Sequence, residues 1–433
     1  MPSARPLRRG LQIATLERVL RREAVSASAW ANVLRDPGFR ASTVMPAVRR
    51  ALVKATRAPT PDPVWDVLIV GSGVLGSALA FAAVARGLKT VVVSRELGSE
   101  SFRYGEAFTL NTWSRPPQEE TPPGSACEQH PGLIISPRAL SRAEFIDASV
   151  LRDLALCTLW ASGASLVRAE AGRVSSSSPL VMRVTGSHRL RAHAVIACPG
   201  FTQPVVRIAH QPSAARVRRA LEQGSKRVLG FQQLAKRCVS DPLAAARLGR
   251  HVIVVGSGPS ALSALELIWR ASDSVRVTWL TGPEGPTVPF DAGRTSAAGV
   301  SEMFDRRYAA MRARALHRAR DGWLTMHTGA VDRVRLTAQQ VELAIGNATF
   351  RGDCLIWCGG MTGDFTTVDP HAPLVVDGVS LGIQREEAGR RWPVFGVGPA
   401  LDSLGLGDWP TGPYSEWVRK GLTLIARLHA PSR

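Results

Sequence analysis

Three glycines at Gly71, Gly73 and Gly76 directly follow the apolar stretch Asp66-Val-Leu-Ile-Val70. An apolar strand that runs into a Gly-x-Gly-x-x-Gly turn and then a helix is typical of a pyrophosphate-binding turn. The first glycine allows the tight turn, the second lets the pyrophosphate approach the backbone, and the third lets helix pack on strand. The helix N-terminus then offers N–H donors and the positive end of its dipole to the phosphates.

A related unit begins at His251, where an apolar strand runs into Gly256-Ser257-Gly258-Pro259-Ser260-Ala261. Alanine replaces the third glycine, and a residue this small still allows the helix to pack on the strand. Two such units in one chain are a much stronger signal than one, because each opens a strand–turn–helix–strand pattern. They predict two nucleotide cofactors.

The second strand of this later unit, Val275–Leu280, ends at Thr281-Gly282 without an acidic residue for the ribose 2′-hydroxyl. A carboxylate there would repel a 2′-phosphate, so its absence favours NADP over NAD. Arg294 is a candidate for binding that phosphate, and Arg276 is an alternative.

In the first unit, Ser94 occupies the position where the ribose-binding carboxylate is expected. A serine offers one neutral hydrogen bond in place of two charge-assisted ones. Arg95 can stack on adenine or meet a phosphate, and Glu96 lies just past the expected strand end. Either this unit binds its nucleotide less tightly or the following loop supplies replacement contacts.

The order of these parts resembles flavoproteins with two dinucleotide-binding domains, and among them class B monooxygenases: flavin-containing monooxygenases and ornithine or lysine N-hydroxylases. The resemblance covers roughly residues 64–430 and rests on both glycine turns. It also rests on the strand–glycine segments Ala197–Gly200 and Trp357–Gly360, which in such proteins mark chain crossovers between the two domains. The resemblance implies FAD on the first unit and NADPH on the second.

The same resemblance assigns two further segments to the flavin. Residues 108–114 take the place of the loop that flanks the flavin ring, and the candidate contacts in it are Asn111, Thr112, Trp113 and Ser114. Gly398 stands where these families close over the FAD phosphates and ribitol. Pro399 follows it where many relatives carry an aspartate, so this sequence departs from the family there as it does at Ser94.

The pattern of elements predicts an α/β fold with two Rossmann-like dinucleotide-binding domains, the second inserted in the first, and a helical N-terminal extension. The expected segments are a basic helical extension over 1–62, an FAD-binding domain over 63–205 and 346–433, a crossover segment over 206–249, and an NAD(P)H-binding domain over 250–345. The extension either packs on the core, which we favour, or docks a partner or a membrane surface, or forms a lid.

The composition is typical of a globular protein, with 45% apolar residues and a mean hydropathy of zero. Apolar runs are too short to cross a bilayer, and the N-terminus lacks the apolar region of a secretory signal, so we expect a cytoplasmic protein. The six cysteines form no Cys-x-x-Cys pair, which disfavours a thioredoxin-type redox disulfide or a zinc site. The net charge of +19 comes with no nucleic-acid-binding motif, so nucleic acid is not an expected partner.

Together these features predict an FAD-dependent oxidoreductase that uses NADPH and O2. We expect a monooxygenase that oxygenates a nitrogen or sulfur centre of a small molecule through a peroxyflavin. The sequence contains no recognisable pair of a nucleophile and a general base, so no catalytic residue is assigned. Such a pair is not required where a cofactor carries out the chemical step. One alternative is an NAD(P)H-dependent reductase or dehydrogenase that transfers no oxygen. Another is a non-catalytic nucleotide-binding protein that acts as an interaction module. The sequence is compatible with a homo-oligomer.

Overall fold

A computed structural model describes residues 5–23, 25, 27–34, 36–57, 63–98, 104, 109–113, 145–185, 188–200, 203–283, 311, 313–363, 374–376, 383–398 and 414–428. The chain divides into two compact units. Unit 1 comprises Met1–Arg103, Thr112–Thr202 and Gly363–Arg433, and unit 2 comprises Tyr104–Asn111 and Gln203–Thr362. Along the sequence, unit 2 therefore interrupts unit 1.

Unit 1 is built on a sheet in which six neighbouring strands run parallel. In spatial order they are β1 Thr56–Arg57, β6 Ser165–Arg168, β3 Thr90–Ser94, β2 Val64–Val70, β9 Arg189–Ala197 and β22 Arg390–Gly396. The antiparallel strands of this sheet are β7 Ala171–Ser175, β8 Leu180–Val184, β20 Leu374–Val376 and β21 Ile383–Glu387. Two short strands of the chain are β4 Thr109–Trp113 and β5 Phe145–Asp147.

Helix α4, Val74–Ala85, is apolar on nearly all sides and buried along most of its length. It packs against α5, Ala148–Ser162, and against the C-terminal helix α9, Tyr414–Leu428. Gly421 of α9 comes so close that a Cβ atom there would lie 2.6 Å from Leu79 Cδ2. The helix that follows the first glycine turn is therefore held on two sides within unit 1.

The N-terminal helices are α1 Arg5–Leu20, α2 Ala27–Leu34, a helical turn Pro37–Phe39, a π-helix Arg40–Val44 and α3 Met45–Ala55. They pack on α5, where the Trp160 indole donates a hydrogen bond to the Val19 carbonyl oxygen at 3.0 Å. The Arg22 guanidinium lies 4.4 Å from the centroid of the same Trp160 ring. Arg40 Nε lies 3.3 Å from Asp153 Oδ2, with side chains 14% and 11% exposed. These contacts make the N-terminal helices part of unit 1.

Asp153→Asn is expected to lower the free energy of unfolding by about 3 kcal/mol, because it leaves the nearly buried Arg40 guanidinium without its counter-charge. Equilibrium unfolding in urea measures the loss. Glu23→Gln is the matched control, since Glu23 pairs with Arg18 and Arg21 on the surface, is 44% exposed, and should change stability by less than about 1 kcal/mol. Equal losses in the two variants would contradict a structural role for the Arg40–Asp153 pair.

Unit 2 is built on a five-stranded parallel sheet with the order β11 Val228–Gly230, β18 Cys354–Trp357, β12 His251–Val255, β13 Arg276–Thr281 and β14 Leu324–Thr328. A separate antiparallel sheet contains β15 Arg333–Leu336, β16 Val341–Ile345 and β17 Ala348–Gly352. Strands β10 Gln203–Pro204 and β19 Met361–Thr362 form an antiparallel pair. The helices are α6 Gln211–Gln223, α7 Phe231–Ser240, a 3₁₀-helix Ala244–Leu248, α8 Pro259–Ala271 and a helix over residues 313–320.

The units differ from the expected segments at four places. Tyr104–Asn111 and residues 203–205, expected in the FAD-binding domain, belong to unit 2. Residues 206–249, expected as a crossover, contain α6, β11 and α7, and β11 is the edge strand of the unit 2 sheet. Residues 346–362, expected in the FAD-binding domain, lie in unit 2 because β18 pairs between β11 and β12. The apolar run Cys354–Trp357 predicts a buried strand, but only pairing between distant segments shows which sheet it joins.

None of the helices in the described part of the chain is long and apolar enough to cross a membrane.

Candidate nucleotide-binding sites

The first glycine turn joins β2 to α4, and its geometry leaves no room for a side chain at Gly71 or Gly76. Gly71 has φ of +97°, and a Cβ atom there would lie 2.4 Å from the Cys198 carbonyl oxygen. A Cβ atom at Gly76 would lie 2.0 Å from the Gly71 carbonyl oxygen. Gly73 is the N-cap of α4, and no side chain caps this end of the helix. The backbone N–H groups of the first helical turn are therefore available to an anion.

The second glycine turn joins β12 to α8 and has the same construction. Gly256 has φ of +133°, and a Cβ atom there would lie 2.1 Å from the Cys358 carbonyl oxygen. Gly258 is the N-cap of α8, which begins at Pro259 and has no side-chain cap. Ala261, at the position of the third glycine, is fully buried, so its methyl group fits between helix and strand as the sequence predicts.

Each turn is closed by a cysteine from a strand–glycine segment of its own unit. Cys198 N donates to the Val70 carbonyl oxygen at 2.8 Å, and Cys358 N donates to the Val255 carbonyl oxygen at 2.7 Å. These bonds place each cysteine carbonyl against the glycine of the turn. The segments Ala197–Gly200 and Trp357–Gly360, expected as crossovers, thus also form one wall of each turn. No local sequence pattern predicts this role.

Ser94, at the position of the expected ribose carboxylate, is hydrogen-bonded within unit 1. Its hydroxyl donates to the Glu96 carbonyl oxygen at 2.5 Å and accepts from Ser72 Oγ at 3.0 Å. The Glu96 carboxylate faces Arg168, with Oε1 3.4 Å from Nη2, and Arg95 is exposed. The Ser94 proton is therefore used to hold the turn that follows β3.

In unit 2, the last residue of β13, Thr281, and Gly282 after it carry no acidic side chain. Thr281 is 2% exposed, and its hydroxyl donates to the His327 carbonyl oxygen at 3.4 Å. Gly282 follows, and its N–H donates to Ser257 Oγ at 2.7 Å. This edge is thus free of negative charge at Thr281 and Gly282.

The other candidate contacts predicted from the sequence lie outside the two glycine turns or in the first turn of α8. Gly398, after β22, has φ of +119°, and a Cβ atom there would lie 3.2 Å from Leu75 Cδ2, so it lies beside the first turn of α4. Strand β4 contains Asn111, Thr112 and Trp113. Ser260 lies in the first turn of α8. Candidates outside the described residues are Ser114 and Arg294.

The described cysteines are free thiols, and most of them are buried. Burial raises the pKa of the Cys198 and Cys358 thiols far above the ordinary value and raises the pKa of Cys354 to about 12. A buried neutral thiol is a poor nucleophile. In the described ranges, no group of three or more His, Cys, Asp or Glu residues could hold a metal ion.

We expect Cys198, Cys354 and Cys358 to resist alkylation by iodoacetamide at pH 8 in the native protein, because the thiolate is both scarce and buried. Mass spectrometry of peptides after quenching and unfolding measures modification at each position. Cys238, which is only partly buried, serves as the internal comparison and should react sooner. Rapid modification of Cys198 or Cys358 would show that these thiols are accessible for chemistry.

No protein-family model and no curated protein sequence matches the chain. Several solved structures are similar to it. An ornithine N-hydroxylase from Kutzneria sp. 744, with reduced FAD, NADP+ and L-ornithine, has a TM-score of 0.58 at 13% identity, covering 84% of this chain and 99% of that one. The ornithine hydroxylase from Pseudomonas aeruginosa has a TM-score of 0.54 at 17% identity, covering 85% and 99%.

A bacillithiol disulfide reductase from Staphylococcus aureus is also similar, with a TM-score of 0.52 at 12% identity, covering 84% of this chain and 98% of that one. Monooxygenases and disulfide reductases therefore share this fold. The predicted fold class is confirmed: the chain has the α/β fold of flavoproteins with two dinucleotide-binding domains.

Proposed function

We propose that the protein is an FAD-dependent oxidoreductase that takes its electrons from NADPH. The observation that carries this proposal is the pair of glycine turns, each with a left-handed glycine against a cysteine carbonyl and each leading into an uncapped helix. One turn per unit matches one dinucleotide per unit. We assign FAD to the turn of unit 1 and NADPH to the turn of unit 2.

The residues of unit 1 fit the pyrophosphate of FAD, since a Cβ atom at Gly71 or Gly76 would collide with the backbone of the turn and its wall. The N–H groups of the first turn of α4 would hold the phosphates, and Gly398 lies beside them. In unit 2, Gly256, Gly258 and the first turn of α8 would hold NADPH in the same way. When bound, FAD supplies the chemistry of accepting a hydride and passing its electrons on.

We propose oxygen transfer to a nitrogen or sulfur centre of a small molecule as the reaction. The O–O bond of O2 breaks, one oxygen atom bonds to the substrate, and the other leaves as water. NADPH and one proton supply the two electrons and two hydrogens of that water, so the products are the oxygenated substrate, water and NADP+. The buried thiols with raised pKa and the absence of a Cys-x-x-Cys pair favour this reaction over thiol–disulfide exchange. The similarity of the S. aureus disulfide reductase supports a reductase as the second candidate.

The visible spectrum of the purified protein, before and after anaerobic NADPH, tests the assignment of both cofactors. We expect the absorption bands of oxidised flavin before the addition, and we expect anaerobic NADPH to bleach them. Oxygen uptake coupled to oxygenation of amine and sulfide probes, including L-ornithine, then supports a monooxygenase. Reduction of a quinone or dye without any oxygenated product would instead support the reductase. A colourless protein that FAD does not reconstitute would overturn the proposal.

A further inference from the structure

The end of β13 is bound to the second glycine turn by three hydrogen bonds. Gly256 N donates to the Leu280 carbonyl oxygen at 2.9 Å. The Trp279 indole donates to the Gly256 carbonyl oxygen at 2.7 Å. Gly282 N donates to Ser257 Oγ at 2.7 Å. Of the three, only the last involves a side chain of the turn itself, so Ser257 is the residue of the turn whose substitution removes a link to β13.

Unit 1 contains the same link at the corresponding serine. Ser72, between Gly71 and Gly73, is 1% exposed and accepts a hydrogen bond from Gly98 N at 3.0 Å. Gly98 is the fourth residue after β3, whereas Gly282 is the first after β13. The link therefore recurs although the chain after the second strand follows a different course. We call the two bonds, Ser72–Gly98 and Ser257–Gly282, the serine clasps.

Each clasp joins the two places where this fold contacts a dinucleotide. The pyrophosphate lies on the glycine turn, and the adenosine ribose lies at the end of the second strand. A hydroxyl bonded across them fixes the spacing between the two contacts before the ligand arrives, and such preorganisation strengthens binding. We propose that Ser72 and Ser257 are positioning residues that set this spacing for FAD and NADPH respectively, an inference that rests on the proposed function.

The clasp of unit 2 also bears on the choice between NADPH and NADH. A Cβ atom at Gly282 would lie 3.3 Å from Ser257 Oγ, so the clasp holds the Gly282 backbone close to the glycine turn. The edge that faces the ribose is therefore formed there by backbone, with no side chain. The 2′-phosphate of NADPH extends towards this edge, whereas NADH has only the smaller, uncharged 2′-hydroxyl there. Loss of the clasp should therefore weaken NADP+ binding more than NAD+ binding.

Calorimetric titration of the flavin-loaded protein with NADP+ and NAD+ tests the clasp in three variants. Ser257→Ala should raise the Kd for NADP+ about fivefold, as the loss of one neutral hydrogen bond predicts, and raise the Kd for NAD+ less than twofold. Ser257→Thr keeps the hydroxyl and should restore the NADP+ affinity. Ser72→Ala, reconstituted with FAD, is the corresponding variant of unit 1. It removes the bond from Gly98 N and the bonds to Ser94 Oγ and the Glu96 carbonyl oxygen, so it should raise the Kd for FAD by at least about fivefold and leave the Kd for NADP+ unchanged.

A purely structural role would appear as equal weakening of NADP+ and NAD+ by Ser257→Ala, or as no recovery in Ser257→Thr, and either result overturns the proposal. Variants that bind both nucleotides like the wild type overturn it as well and leave the proposed function intact. A wild-type protein that binds neither FAD nor NADP+ overturns the proposed function, and the positioning role with it.

Discussion

Gly256→Ala is expected to give a yellow protein whose flavin NADPH no longer reduces. Gly256 has φ of +133°, and the added Cβ atom would lie 2.1 Å from the Cys358 carbonyl oxygen. Residues held at such angles cost about 1–3 kcal/mol without glycine, and the collision with backbone forces the turn itself to move. We expect the affinity for NADPH to fall by at least about 100-fold, since each 1.4 kcal/mol is a factor of ten. Anaerobic titration followed in the flavin bands measures the loss.

Dithionite should still reduce the flavin of this variant, which separates loss of NADPH binding from damage to the flavin. Gly346→Ala is the matched control: Gly346 also belongs to unit 2 and has φ of +54°, but a Cβ atom there meets nothing within 4 Å. It should keep NADPH reduction within about threefold of the wild type, because only the backbone strain remains. If NADPH reduces the flavin of Gly256→Ala at the wild-type rate, the assignment of NADPH to unit 2 is wrong.

The parts of the fold that depend on neighbouring residues could be predicted from the sequence. Apolar runs ending in glycine identify β2 and β12, and the glycine spacing identifies the turns and the helices α4 and α8. The alanine at position 261, in place of the third glycine, could also be predicted to fit, because only the packing of α8 on its neighbouring strand β12 limits the size of that residue. The basic N-terminal segment shows apolar residues at helical spacing, and helices are found there.

Features that join distant segments could not be predicted. The approach of Cys198 to Gly71 and of Cys358 to Gly256 depends on strand pairing across more than 100 residues, as does the position of β18 in the unit 2 sheet. Ser94 shows the same limit, because its sequence position suggests a ligand contact. Its hydroxyl instead bonds to Ser72 and Glu96, since the turn after β3 folds back over the glycine turn.

Gly282→Asp is expected to reverse the nucleotide preference from NADPH to NADH. Gly282 directly follows β13, and Thr281 before it is buried, so position 282 is where a side chain can reach the ribose. A carboxylate would accept hydrogen bonds from both ribose hydroxyls of NADH. It would repel the 2′-phosphate of NADPH, an interaction of about 4 kcal/mol at 4 Å near a protein surface. The ratio of kcat/KM for NADPH to that for NADH should fall at least about tenfold.

Gly282→Asn separates the effect of charge from the effect of size. Both side chains place a Cβ atom about as close to Ser257 Oγ as the 3.3 Å expected for any residue here, and both keep the Gly282 N–H that the clasp uses. The amide carries no charge, so NADPH binding should weaken only slightly and the preference should stay with NADPH. If both variants lose NADPH equally, crowding at the clasp rather than charge controls selectivity, and the ribose edge does not lie at residue 282.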